Sequence, residues 1–446
     1  MQKVAVLGLA LAGTAVARAV SSRGIALTLA DDRMTDDHRL LAAELDAVLI
    51  DLTTDGAVDR LLEGVDTLLP APGVPPSHPA IVAALQRGIA VRTEIDIAYE
   101  WEQSRPGGPR PILGVTGTDG KTTTTMIAAH LLRENGYAVA EVGNTDTPFV
   151  AAIDDAYDAF VVECSSFRLK YTTMFRCDAS VWLNFAPDHL DWHSDVQDYA
   201  SAKERMWRFV SAADIAVFPA GVARIAEAAV TSDARTVSFG LHEGDYRLEN
   251  DALISPHGLL CDVSTMWRSM PHDITNSLAA AALVVESGLA PASSVGKALS
   301  TFEAAHHRIE LVGEYEGTSW YDDSKATSPH AALTAIRAFE SLVLIAGGRN
   351  KGLDLSQMAT EPQRMRAVVA IGDDAPLIAR AFDGICPVER ATDMKSAVVA
   401  AASFALSGDA VVLSPGCTSY DWYRSYNERG DHFKECVHQF FAKELN

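Results

Sequence analysis

The chain has 446 residues, is 48% hydrophobic and carries a formal net charge of −22. Its length exceeds one typical domain and suggests about three, and it has no apolar run of about eighteen residues, so no membrane-spanning helix is expected. The acidic balance argues against general binding to nucleic acid or anionic membranes, which needs basic surface, while leaving room for anionic substrates held by local cations.

A strand over residues 4–7 begins almost at the N-terminus, with no charged segment and cleavage site before it, so no signal peptide is expected. Gly8 and an alanine-rich helix over 13–22 follow, then a strand over 26–30 that ends at Asp31-Asp32-Arg33. The run Gly8-Leu9-Ala10-Leu11-Ala12-Gly13 is like a dinucleotide fingerprint, but Ala10 stands where the middle glycine lets the backbone approach a pyrophosphate. Asp31 lies near where a ribose-binding acid is expected. Three readings stay open here: a nicotinamide site, a plain strand–turn–helix packing contact, and a nucleotide-sugar pocket with a looser phosphate fit. A strand over 67–70 leads into the turn-rich loop Pro72-Gly73-Val74-Pro75-Pro76, and the stretch Ser104-Arg105-Pro106-Gly107-Gly108-Pro109 reads as a linker.

The next segment is the most informative. An apolar strand over 111–115 runs into Gly117-Thr118-Asp119-Gly120-Lys121-Thr122-Thr123, and a helix over 126–132 follows. A glycine turn between strand and helix holds nucleotide phosphates: backbone N–H groups and the helix N-terminus face the anion, Lys121 adds charge and the Thr122 hydroxyl can ligate Mg²⁺. The spacing is G-x-x-G-K-T; the general phosphate loop would need glycine at 115, where this chain has Val115. Two more apolar strands, over 159–162 and 180–185, deliver Glu163 and then Asp188-His189 at their C-terminal ends. Ligands of open parallel sheets bind outside those ends, so the three strands converge on one site.

A lone carboxylate at Glu163 is commonly a cap or an ion-pair partner; beside a phosphate loop a Mg²⁺ role fits, because Mg²⁺ takes a few oxygen ligands plus phosphate and water. His189 and His193 are four apart, which on a helix would suit zinc, but the strand and Pro187 before them favour a loop. Lys203 lies on a helix over 199–205 and by base rate is a solvated lysine. A second boundary falls near 304–308, followed by strands over 320–321, 342–346, 367–371 and 410–413 and helices over 331–339 and 396–405. Gly347-Gly348-Arg349-Asn350-Lys351-Gly352 is either a second anion loop or a turn, and Asp323-Ser324-Lys325-Ala326-Thr327 is, alone, no more than a helix cap. The alternation predicts an α/β protein of largely parallel sheets. The six cysteines are far apart with no C-x-x-C pair, which fits reduced thiols in the cytoplasm.

In order, the motifs resemble the Mur ligase family, the ATP-dependent amide-forming ligases of peptidoglycan precursor synthesis. The resemblance runs over essentially the whole chain: the phosphate loop, Glu163-Cys164-Ser165-Ser166-Phe167, Asn184, Asp188-His189-Leu190-Asp191, Lys203, His307-Arg308, Asp323-Ser324-Lys325-Ala326-Thr327 and Ser414-Pro415. The D-S-K-A-T run and the segment Ser414-Pro415-Gly416-Cys417-Thr418-Ser419 are most like the glutamate-adding member.

That resemblance implies three domains: a Rossmann-like one over 1–106 holding a UDP-linked substrate, a central ATPase-type parallel-sheet domain over 107–304, and a Rossmann-like C-terminal domain over 305–446 that receives glutamate and closes over the site. It implies ATP and Mg²⁺ as cofactors, small-molecule substrates, a monomer, and no nucleic-acid partner. Gly117, Thr118, Asp119, Gly120, Lys121, Thr122, Thr123, Asn276, Arg308 and Asp323 would contact ATP. Leu11, Asp31, Arg33, Gly73, Asn144 and Ser165 would contact the UDP-sugar substrate; Lys325, Thr327, Lys351, Ser419 and Tyr426 would receive glutamate. Thr122, Glu163, His189 and Lys203 match metal-site positions, with Lys203 as a carbamate; Lys121, Glu163, His189 and Lys203 would carry the catalysis. Three positions depart from the family pattern: Arg168 where glutamine is common, Asp273 in place of asparagine, and Tyr426 in place of phenylalanine. Competing readings are the same ligation with L-glutamate, another Mur-type or folylpolyglutamate-type ligase, a nucleotide-binding regulatory protein without turnover, and a nicotinamide dehydrogenase.

Overall fold

Runs of buried aliphatic residues, each closed by a glycine or polar turn, form three sheets in the computed structural model, which describes residues 1–444. Two compact units hold them. The first comprises Met1–Ser269 and Asp273–Phe302 and contains two sheets; the second comprises Met270–His272 and the chain from Glu303 onward and contains the third.

The first sheet is built from β1 (Lys3–Leu7), β2 (Ala26–Asp31), β3 (Val48–Asp51), β4 (Thr67–Pro70) and β5 (Ala90–Val91), in the order β3-β2-β1-β4-β5, all parallel. Val4, Ala5, Val6 and Leu7 are all buried, the continuous apolar run of a parallel strand covered on both faces. The strand order reverses at β1, which opens a crevice beyond its C-terminal end. The chain turns there through Gly8 at φ +85°, and a Cβ on Gly13 would lie 1.8 Å from the Gly8 carbonyl oxygen, so the helix Leu11–Ser22 can seat against the turn only with glycine at 13. Ala10 has φ −69° and needs no glycine. That is why this turn tolerates alanine at the middle position of the fingerprint.

The second sheet comprises β6 (Ile112–Thr116), β7 (Val139–Gly143), β8 (Ala159–Glu163), β9 (Ala179–Trp182), β10 (Ile215–Pro219), β11 (Arg235–Gly240), β12 (Tyr246–Glu249), β13 (Ala252–Ser255) and β14 (Gly258–Asp262). Its order is β14-β13-β12-β11-β10-β9-β6-β8-β7, parallel except for the antiparallel meander β12–β14. β6 lies between β8 and β9, so the strand feeding the phosphate loop is the switch point of this sheet. The strand expected over 180–185 ends at Trp182. Beyond it the chain leaves the ladder to wrap the phosphate loop, as the bond from Thr118 N–H to the Asn184 carbonyl (3.2 Å) shows.

The first two sheets share one hydrophobic core, with Val4, Val6 and Leu29 packed in the same cluster as Ile112, Val142 and Phe160, and two buried ion pairs cross between them. Arg110, just after the irregular stretch 104–109, donates to both carboxylate oxygens of Glu102 (2.9 and 2.7 Å) and to the Ile153 and Asp155 carbonyls. Glu94, at the start of the helix Glu94–Gln103, pairs with Arg168 beyond β8. Asp273, the second departure from the family pattern, receives two bonds from Arg268 (2.5 and 2.8 Å) and is fully buried.

The second unit carries β15 (Glu310–Tyr315), β16 (Thr318–Asp322), β17 (Leu342–Gly347), β18 (Met365–Ile371), β19 (Val388–Arg390) and β20 (Ala410–Gly416), in the order β15-β16-β20-β17-β18-β19. Only β15–β16 is antiparallel. Alternate residues of these strands feed two cores: Leu342, Leu344 and Val412 on one face, Val343, Ile345 and Val411 on the other. Among the described residues no helix is long and apolar enough to cross a membrane.

Candidate active site

The phosphate loop leaves β6 and turns at Gly120 (φ +79°) into the helix Lys121–Glu134. Lys121 Nζ folds over the loop and donates to the Gly117 (2.9 Å) and Thr118 (2.6 Å) carbonyls. Asn184 fastens the loop from outside. Its Oδ1 accepts from Thr118 N–H and Asp119 N–H (3.0 Å each), and its Nδ2 donates to the Asp119 carbonyl (3.1 Å). Sequence reasoning assigned Asn184 a motif position but no role; a short polar residue just past a buried strand is the signal that points to it. Asn276 comes from the helix Pro271–Glu286, and its Oδ1 would lie 2.6 Å from a Cβ on Gly120. Close approach therefore joins a positive φ in requiring glycine there.

Glu163, at the end of β8, is 2% exposed. Its Oε1 accepts from Asn144 Nδ2 (3.0 Å), while its Oε2 is buried with no hydrogen-bond partner. Gly143 and Asn144 sit against it because a Cβ at 143 would meet the Glu163 carbonyl oxygen at 2.5 Å. A buried carboxylate oxygen without a donor is costly, and a bound cation would satisfy it. His189 adopts φ +55° on the loop after β9 and lies 3.3 Å from Asp188, with its ring edge-on to Phe167.

Lys203 is 1% exposed on the helix Val196–Glu204, and its Nζ donates to the Gly117 carbonyl (2.6 Å), the same oxygen that Lys121 approaches. Burial, reinforced by the Lys121 charge, holds its pKa well below the usual lysine value. Lys203 is thus no solvated lysine; it is aimed at the phosphate loop.

The segment 188–193 is irregular, as Pro187 suggested. Both ring nitrogens of His193 are engaged: its Nε2 is 2.9 Å from Ser166 Oγ and its Nδ1 is 2.9 Å from Asp198. Burial lowers its pKa. Ser165 caps the short helix Ser166–Leu169, and Arg168 within it turns to Glu94.

In the first sheet, both oxygens of Asp31 are taken by backbone donors, Leu9 N–H (2.7 Å) and Arg33 N–H (2.9 Å). Asp31 therefore shapes the Gly8–Leu11 turn and the Arg33 loop together. Leu11 is 60% exposed, Arg33 and Gly73 are exposed, and a cleft of about 1000 Å³ passes Leu11, Thr14 and His38 on one side and Thr147 and Val150 on the other.

In the second unit, loops beyond β16, β17 and β20 carry Asp323, Lys325, Thr327, Lys351 and Ser419, while Arg308 precedes β15 and Tyr426 opens the helix Tyr426–Glu444. Asp323 is buried, accepts from Ser414 Oγ (2.6 Å) and Ile309 N–H (3.3 Å), and has its pKa pushed up to about 7 by burial, against the pull of Ser414 and Arg308. Lys325 Nζ stands 5.3 Å from the centre of the Tyr426 ring. Tyr426, where phenylalanine was expected, thus offers the face that phenylalanine would. Arg349 and Thr418 exchange backbone hydrogen bonds (3.0 Å each), which bridges the Lys351 loop to the Ser419 loop. Thr327 lies half-buried at the foot of the helix Pro329–Arg337. His307, Glu310 and Asp322 place ligand atoms within 4.8 Å of one another, but Lys434 also reaches Glu310 (3.4 Å) and the group reads as an ion-pair network.

Three family matches take up most of the chain: a MurD-like Mur ligase N-terminal domain over residues 2–93, the Mur ligase middle domain over 115–284, and the Mur ligase glutamate ligase domain over 307–417. A UDP-N-acetylmuramoylalanine–D-glutamate ligase of Frankia casuarinae is 39% identical, across 97% of this chain and 93% of that protein. The protein of the same name from Streptomyces avermitilis is 35% identical, across 98% of both. Among solved structures, the MurF ligase of Thermotoga maritima in complex with ADP aligns with TM-score 0.61 at 17% identity, covering 95% of this chain and 91% of that one. UDP-N-acetylmuramate-alanine ligase MurC from Thermotoga maritima aligns at 0.58 and 18%, covering 98% and 100%. At such identities these two show the fold alone.

Proposed function

The chain belongs to the Mur ligase family, and from that premise we propose how its residues perform the family's chemistry on one substrate pair. It is an ATP-dependent ligase that adds D-glutamate to UDP-N-acetylmuramoyl-L-alanine in peptidoglycan precursor synthesis, the activity named for its relatives. We read residues 1–106 as a Rossmann-like domain for the UDP substrate, 107–304 as the ATP domain and 305–446 as a Rossmann-like glutamate domain of a cytoplasmic monomer.

A carboxylate does not accept an amine at neutral pH, so the alanyl carboxylate must first be activated. It attacks the γ-phosphorus of ATP, ADP leaves, and an acyl phosphate results. The glutamate amine then adds to the acyl carbon, loses a proton, and the tetrahedral intermediate expels phosphate. Phosphoryl transfer of this kind depends on positioning and charge neutralisation. Lys121 would move from the Gly117 and Thr118 carbonyls to the β- and γ-phosphates, while Asn184 keeps the loop in shape. Lys325, Lys351 and Ser419 would hold the carboxylates of glutamate through charge-assisted hydrogen bonds.

The residues present fit Mg²⁺: the orphaned Glu163 Oε2, the Thr122 hydroxyl at the helix start, His189, and Lys203 once carbamylated. Mg²⁺ at these groups would neutralise charge on the phosphates and the acceptor carboxylate. The depressed pKa of Lys203 favours the neutral amine, the form that adds to CO₂, giving a carbamate and releasing a proton.

The observation that carries this reading is the convergence of Lys121, Asn184 and Lys203 on one phosphate loop, with Glu163 at the end of the neighbouring strand. A coupled phosphate-release assay with ATP, UDP-N-acetylmuramoyl-L-alanine and either D- or L-glutamate tests it. Release that depends on D-glutamate is expected; turnover only with L-glutamate, or with another amino acid, would reassign the acceptor.

A further inference from the structure

Arg429, on the helix Tyr426–Glu444, is 1% exposed and its guanidinium is shared among three loops. Nε donates to Ser324 Oγ (2.9 Å), Nη2 to the Ser324 carbonyl (2.7 Å) and Nη1 to the Cys417 carbonyl (3.2 Å). On the third side, a Cβ on Gly348 would lie 3.2 Å from Nη1, so the loop beyond β17 closes directly over the guanidinium. Ser324 Oγ passes a further bond to the Tyr426 carbonyl (2.8 Å), which ties in the start of the helix itself. Lys325, Lys351, Ser419 and Tyr426 each lie within three residues of one of these contacts.

The cation is expensive where it is. Burial lowers its pKa to about 10 against the pull of the nearby Asp421 and Asp322 carboxylates, and its hydrogen bonds go to a hydroxyl and two carbonyls rather than to a carboxylate. A buried guanidinium that bonds no carboxylate directly contributes little that a well-packed methionine would not, unless its geometry matters. Its geometry is a rigid planar fork able to fix several acceptors at once, which a lysine cannot reproduce.

We propose that Arg429 is a positioning residue for the amino-acid substrate: one guanidinium sets the spacing of Lys325, Lys351 and Ser419, the groups that receive the two carboxylates of glutamate. The inference rests on the glutamate-ligase reading given above. Arg429 need not touch the substrate. The loop bearing Lys351 has a second anchor, since Asp374 accepts from Asn350 N–H (2.7 Å), so loss of Arg429 would loosen the loops without releasing them.

The test is steady-state kinetics of the full chain with Arg429→Lys and Arg429→Met, beside urea unfolding of each. KM for D-glutamate should rise about tenfold or more in Arg429→Lys and further in Arg429→Met, while KM for UDP-N-acetylmuramoyl-L-alanine stays within about twofold. Ser324→Ala removes the hydroxyl acceptor from the other side and should raise the same KM by about threefold; it carries the test with Arg429→Lys should Arg429→Met not fold. A glutamate KM unchanged in the folded variants, or one that rises together with the KM of the UDP substrate, overturns the proposal. Wild-type protein without D-glutamate-dependent phosphate release would instead overturn the glutamate-ligase reading.

Discussion

Replacing Arg168 tests how the first two sheets are held together. Arg168 and Glu94 are 5% and 3% exposed, and Glu94 Oε1 also accepts from Val150 N–H (2.8 Å). Burial holds the Glu94 carboxyl above its ordinary pKa even though Arg168 opposes the shift, so the pair returns less than its desolvation costs. Removing one partner is worse, because it strands the other charge. Arg168→Met and Glu94→Gln should each destabilise the first unit by about 3–5 kcal/mol. The double variant keeps a neutral acceptor for Val150 N–H and buries no charge, so it should lose only about 1–2 kcal/mol. The single losses together exceed the double loss by about 4–9 kcal/mol, a coupling energy measurable by urea unfolding of the four proteins in a double-mutant cycle. Arg168→Gln, which restores the residue common in the family, should fall between wild type and Arg168→Met, since its amide can donate a bond to Glu94 but supplies no charge. Because the pair ties the helix Glu94–Gln103 to the loop beyond β8, KM for the UDP substrate should rise in Arg168→Met. Coupling below about 0.5 kcal/mol would refute the reasoning, because additive losses mean that the two charges do not sustain each other.

Glu163→Gln, which replaces the orphaned oxygen with an amide, should lower kcat by about 100-fold and weaken Mg²⁺ binding in calorimetry, with little change in the unfolding midpoint. Lys203→Ala should abolish turnover, and added formate or acetate should restore part of it; full activity in the variant would remove the carbamate from the mechanism. Asp323 supplies a pH signature. Its folded pKa of about 7 exceeds the unfolded value of 3.8, so its contribution to stability is full below the lower value and is lost as pH rises through the upper one. Urea midpoints of the second unit should therefore decline less between pH 5 and 8 in Asp323→Asn than in wild type, and parallel curves would exclude the shifted carboxyl as the cause.

Much of the site was legible in linear order because phosphate chemistry forces local patterns. A strand, a glycine turn and a helix beginning with Lys121-Thr122 are contiguous, and so are the Asp323–Thr327 and Gly347–Gly352 loops. The linker at 104–109 was visible from its proline and glycine content, but not the Arg110–Glu102 and Arg168–Glu94 pairs that cross between the first two sheets, since each needs partners placed by the fold. Strands β3, β5, β7, β10, β11, β15 and β19 and the meander β12–β14 also escaped notice, because most are short runs of mixed burial that carry little periodicity.

From the sequence alone, the α/β class, the phosphate loop and the identity of the polar groups at the strand ends follow, because strand propensity, turn chemistry and residue type are local properties of a chain. Tertiary structure decided what those groups can do. It buried Lys203 and aimed it at Gly117, left Glu163 Oε2 without a donor, engaged both ring nitrogens of His193 with Ser166 and Asp198, and placed Arg429 among three loops. Burial, pKa and hydrogen-bond completeness depend on neighbours that are distant in sequence, so only the folded chain sets them.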